Sequence, residues 1–127
     1  MELEVVSPRR TLWEKSFILH EENLRGGPGR ERLSRHYYDL DALMRSGAYD
    51  PTLFEAVKKQ RAITYGYTWV DYEHLGIEGM LLLPPDADSY RKWEADYNRM
   101  KSMLYGEVDE FSTIVERIRT FLASLQG

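Results

Sequence analysis

Apolar residues recur every three or four positions along most of this chain, and the breaks between those stretches fall at glycine and proline. Trp13, Phe17, His20 and Leu24 share one face of a helix over 8–25, with Leu12 and Leu19 widening the stripe and Ser7-Pro8 marking its start. "GGPG" at 26–29 ends that helix and turns the chain. Leu33, Tyr37, Leu40 and Met44 predict a second helix over 30–46, and so short a connection makes the two antiparallel neighbours. Asp50-Pro51 reads as the cap and first position of a third helix that turns Leu53, Phe54 and Val57 inward. Residues 63–85 lose the period. Aromatic and β-branched residues broken by glycine predict an extended or looping excursion there, with one short strand pair. Helix returns after Asp86, whose side chain or that of Asp88 caps it, through Tyr90, Trp93, Tyr97, Met100 and Leu104. Gly106 punctuates, and Phe111, Ile114, Val115, Ile118, Phe121, Leu122 and Leu125 carry the pattern to the end. The expected fold is mainly α: one helical domain over 1–127, a compact bundle of about five helices with an irregular stretch near 63–85.

Composition changes the picture mainly by exclusion. A chain of 127 residues, 43% apolar and 13% aromatic, can bury a real core but has room for only one. No apolar run is long enough to span a membrane, and "MELEVVSPRR" carries glutamates where a secretion signal needs cations. Cysteine is absent, which excludes disulfides, thiolate metal sites and a cysteine nucleophile. A cytoplasmic location is the expectation. The net charge of −4 argues against wholesale wrapping of nucleic acid, yet the first 45 residues are charge-balanced. Arg9, Arg10, Arg25, Arg30, Arg32 and Arg35 therefore form either a local basic surface or scattered solvated charges.

Candidate chemistry gathers in "RLSRHYYDLD", residues 32–41. On a helical wheel Asp39 sits on the flank of the apolar face, with Arg32, Arg35 and His36, where it can meet another helix or a ligand. Asp41 faces away from it, so the pair cannot chelate one metal ion from a regular helix. Lys15 is set among Leu12, Ile18 and Leu19, and either snorkels to solvent or delivers its ammonium to a particular anion. Across two antiparallel helices Lys15 and Asp39 can approach, as a partly buried salt bridge or as the amine and acid of a phosphate-handling site. His20, on the apolar stripe, reads as a hydrogen-bonded core residue. His20, His36 and His74 lack zinc-ligand spacing, "GGPG" lacks the Lys-Ser/Thr of a phosphate loop, and no metal site is expected.

Three blocks, "SPRRTLWEKSFILHEE", "RLSRHYYDLDALM" and "LLLPPDADSYRKWEADYNRMKSMLYGE", resemble the C-terminal half of AbiEii/AbiGii-type toxins, nucleotidyltransferases of abortive-infection and type IV toxin–antitoxin systems. The likeness runs from about Val5 to Leu125, in order and spacing, and rests on Thr-x-Trp-Glu-Lys, Ser-Arg-His-Tyr-Tyr-Asp-Leu and Asp-Tyr-x-x-Met. It implies that Lys15 and Asp39 are the catalytic lysine and aspartate of a nucleoside-triphosphate site, with Arg32, Arg35 and His36 binding substrate. His36 stands where many relatives have an additional aspartate. The family's N-terminal half supplies a Gly-Ser nucleotide loop and paired acids for magnesium, and these 127 residues contain neither. The expectation is a C-terminal module whose sheet domain is absent, inactive alone and binding no cofactor alone. Magnesium and nucleoside triphosphate are implied for the complete enzyme. The implied partners are the missing half or an upstream polypeptide (with "LEVV" at 3–6 as the end of a joining strand), an antitoxin, a tRNA or protein acceptor, and a second copy of the chain.

Two other classes compete. A non-catalytic interaction module would use "LEVV" and the aromatic segment 63–75 to hold a partner. A metal-free ribonuclease of the HEPN type would use Arg30 and His36, whose spacing fits that class's loose arginine–histidine signature.

Overall fold

The described residues hold five α-helices: α1 (Pro8–Leu24), α2 (Arg35–Arg45), α3 (Phe54–Thr64), α4 (Ala87–Lys101) and α5 (Phe111–Ser124). Single 3-10 turns lie at Pro51–Leu53 and Ile77–Gly79. The computed structural model describes residues 7–103 and 108–125. "LEVV", to which the resemblance assigned a strand end, and Leu104 and Gly106, to which the pattern assigned a helical position and a break, lie outside them. No strand occurs among the described residues, and the fold is mainly α, as the periodicity predicts.

The helix starts follow their capping chemistry. Asp50 accepts the Thr52 N–H at 3.0 Å ahead of Pro51, and Asp86 accepts the Ser89 N–H at 2.7 Å, each satisfying a donor the first turn leaves orphaned. Helix α1 packs against α2 and α3, α2 packs on α5, and α4 packs on α5. Leu12, Trp13, Phe17 and Leu19 of α1 meet Tyr37 and Leu40 of α2, Phe54 and Val57 of α3, Trp93 and Tyr97 of α4, and Phe111, Ile114 and Ile118 of α5 in one core. Tyr37 is wedged edge-on between Trp93 and Phe111, at 5.0 and 5.4 Å. Burying an aromatic side chain of this kind contributes roughly 1.5–3 kcal/mol.

Three expectations are corrected. Helix α2 begins at Arg35, not at residue 30, because Arg32 adopts the left-handed region (φ 69°) that a helix cannot pass through. Leu24 is 44% exposed rather than core, since α1 ends there and the backbone swings away through Gly26 at φ 81°. The strand pair in 63–85 does not form. There the indole and phenol of Trp69 and Tyr72 bond to Glu21 of α1, and the segment's aromatic rings stack on one another.

Candidate functional site

Lys15 projects from the middle of α1 toward α2, where its Nζ lies 3.4 Å from Asp39 Oδ2. The two side chains are 26% and 25% exposed, so the pair is open to a ligand yet shielded enough for its charges to matter. Arg35, one turn before Asp39, brings Nε to 4.0 Å from the same oxygen. His36 lies beside them, with its Nδ1 sealed and without a hydrogen-bond partner. Burial, and then the Lys15 ammonium, push its imidazole down to about 4 despite the opposing pull of Asp39; Arg30 and Arg35 push the same way. Four predicted residues, Lys15, Arg35, His36 and Asp39, thus come together. Arg32 does not join them: its side chain is exposed, and its part is played by the backbone. Arg30, absent from the predicted substrate-binding set, bears electrostatically on His36. Its sequence signal was the turn it ends, immediately after "GGPG".

Neighbouring elements hold this edge in place. Asp96, buried on α4, accepts the backbone N–H of Arg32 at 2.8 Å and of Ser34 at 2.9 Å. It caps α2 from a distance and compensates the left-handed turn at Arg32. On α1, the buried Asn23 donates to the Tyr37 hydroxyl and to the Leu81 carbonyl, both at 3.0 Å, and accepts from the Trp93 indole at 2.9 Å. The next buried polar residue, Glu21, takes the Arg61 guanidinium and the Tyr72 hydroxyl. Sequence periodicity marked none of these three as anchors, although Asp96 and Tyr97 lie within Asp-Tyr-x-x-Met.

The electrostatics suit an anion. Lys15 and Arg35 meet a single carboxylate beside an imidazole kept neutral, on which Arg30 also bears, and cations so placed favour an anion. They do not suit magnesium. The Asp39 carboxylate is engaged by Lys15 and Arg35, and Asp41 is buried against Arg117 (2.8 Å) and Arg45 (3.3 Å).

An amine and an acid are thus held together on adjacent helices, with further arginines nearby. The family model for the nucleotidyl transferase AbiEii toxin of type IV toxin–antitoxin systems matches residues 1–123. The chain belongs to that family. No curated protein and no solved structure matches it.

Proposed function

We propose that this chain is the C-terminal module of a nucleotidyltransferase toxin, giving Lys15 and Asp39 to its nucleoside-triphosphate site. The observation that carries the reading is the contact between Lys15 and Asp39 at an accessible edge. In the ligand-free pair each charge neutralises the other. A triphosphate competing for the Lys15 ammonium releases the Asp39 carboxylate, which is then free to accept the proton of an acceptor hydroxyl as that oxygen attacks the α-phosphorus and the bond to pyrophosphate, the leaving group, breaks. Arg35 and His36 meet the substrate from the same helix, while Arg32 serves the site only through the backbone turn that Asp96 holds. The nucleotide loop and the carboxylates for magnesium come from a polypeptide outside these residues, so the chain transfers nothing alone. The working assembly is cytoplasmic and restrained by an antitoxin.

Incubation with labelled nucleoside triphosphates, magnesium and tRNA or protein acceptors tests this. The expected result is no label transfer by the chain alone. Transfer should appear when a polypeptide bearing the loop and paired acids is supplied, and be lost in Lys15→Ala and Asp39→Asn. Transfer by the chain alone overturns the requirement for a second half. Reconstituted transfer that ignores Lys15→Ala overturns the site.

A further inference from the structure

The first turn of α2 carries features that a free turn would shed. Arg32 before it holds a left-handed φ of 69°, and the Nδ1 of His36 and the hydroxyl of Ser34 are both sealed without a hydrogen-bond partner. Ser34 stands in the capping position yet makes no side-chain cap. That role falls to the buried Asp96 of α4, which takes the Arg32 N–H on Oδ1 and the Ser34 N–H on Oδ2. The amides that follow hang from the same stretch. Arg35 N–H donates to the Arg32 carbonyl (3.3 Å), His36 N–H to that of Leu33 (3.0 Å) and Tyr37 N–H to that of Ser34 (2.9 Å). Arg35 and His36 therefore take their places from the residues that Asp96 grips. The rest of α2 has anchors of its own. Tyr37 and Leu40 are wholly buried, and Arg117 of α5 binds both carboxylate oxygens of Asp41, at 3.0 and 2.8 Å. Asp39 lies between these anchors.

We propose that Asp96 is a positioning residue, which sets Arg35 and His36 beside Asp39 by holding the two amides that precede them. Its part in the reaction rests on the nucleotidyl-transfer reading, in which Arg35 and His36 meet the substrate. Because α2 is held in two separate parts, the two parts answer differently to its loss. Releasing the first turn moves the groups that bind substrate and leaves Lys15 and Asp39, 3.4 Å apart, in place. A carboxylate suits the task because both of its oxygens accept. A carboxamide of the same shape has one accepting oxygen and turns a donor toward the other amide, so Asp96→Asn breaks the grip at unchanged size. Arg99, largely exposed and 3.8 Å from Asp96, adds little to that grip.

Two readouts separate positioning from mere support of the fold. The first is the His36 imidazole, followed by magnetic resonance as the pH falls. Its midpoint of about 4 depends on burial and then on Lys15, with Arg30 and Arg35 lowering it further and Asp39 raising it. In Asp96→Asn the midpoint should rise by about one unit or more as the ring gains water. Val57→Ala, which opens a cavity in the core at α3, should lower stability yet leave the midpoint near 4. The second is transfer by the reconstituted assembly. There Asp96→Asn should raise the KM for nucleoside triphosphate about tenfold, the scale of one lost charged hydrogen bond, with kcat little changed. A midpoint that stays near 4 in folded Asp96→Asn overturns the positioning role, as does an unchanged KM where transfer still needs Lys15. A moved midpoint in an assembly whose transfer ignores Lys15→Ala supports the grip and sinks the transfer reading instead. Should Asp96→Asn not fold, hydrogen exchange in the unaltered chain decides. Arg32 and Ser34 amides protected as well as those of Arg35 and His36 uphold the proposal, and amides that exchange like open loop overturn it.

Discussion

Glu21 on α1 and Arg61 on α3 form an ion pair that the fold seals, leaving the two side chains 3% and 11% exposed, with the Tyr72 hydroxyl 2.8 Å from the same carboxylate. A pair this deep costs most when one partner is removed, because the other is left charged and alone. Glu21→Ala should lower stability by about 3–5 kcal/mol. Urea unfolding measures it, and the double variant Glu21→Ala/Arg61→Leu should lose less than the two single variants added together.

The Lys15–Asp39 pair should behave differently. Being a quarter exposed, it contributes about 0–1 kcal/mol to stability, so Lys15→Met should unfold near the same urea concentration. Calorimetric titration with inorganic tripolyphosphate should nevertheless show a clear loss of affinity, since an ammonium is gone from the anion cluster. Weak unfolding resistance with undiminished anion binding would make Lys15 a structural residue only.

Asp96 supports α2 through two amides at once. Asp96→Ala leaves both N–H groups of Arg32 and Ser34 without their acceptor and should cost about 2–4 kcal/mol. Hydrogen exchange at Ser34 and through the first turn of α2 should quicken first.

Acid should weaken the fold through His36. Its folded value of about 4 lies below the ordinary 6.5, so between those values the unfolded chain binds a proton that the folded chain refuses. Stability is therefore full above pH 6.5 and falls as the pH drops toward 4, with burial first and then Lys15, Arg30 and Arg35 opposing protonation and Asp39 favouring it. His20, also lowered by burial, adds in the same direction. His36→Gln should flatten the slope in part, leaving the share due to His20.

The same depression bears on the ribonuclease alternative. A histidine held near 4 is a poor general acid at neutral pH, even with Arg30 close by. RNA incubated with the chain in chelator should stay intact. Cleavage that disappears in His36→Ala would revive that alternative.

Much of the fold was legible because its helices rest on local signals: a 3–4 spacing of large apolar residues, Asp-Pro and Pro-Pro-Asp at helix starts, glycine at ends. Lys15 and Asp39 were legible as neighbours for the same reason, since a tight turn after one amphipathic helix leaves the next little choice of partner. What could not be read were the long-range polar bonds. Asp96 looks like any mid-helix aspartate until α4 is laid against the turn at Arg32. That contact, more than 60 residues away in sequence, is also what displaced the start of α2. Likewise the alternating aromatics of Tyr65, Tyr67 and Trp69 carry a strand's spacing, but a strand needs a paired edge, and here Glu21 and two guanidiniums satisfy the segment instead.

That run of rings, shut at one end by Arg61 and at the other by Arg25, has a consequence for how the protein behaves in solution. Tyr65 and Trp69 are substantially exposed, at 50% and 38%, and a count of surface aromatics alone would mark a sticky patch. Arg61 and Arg25 nevertheless lie over Tyr65 and Trp69, so each of these rings carries a charged plane against one face. The segment can thus stay well hydrated at high protein concentration, and replacing the exposed Arg25 with alanine would uncover the Trp69 face and invite clumping.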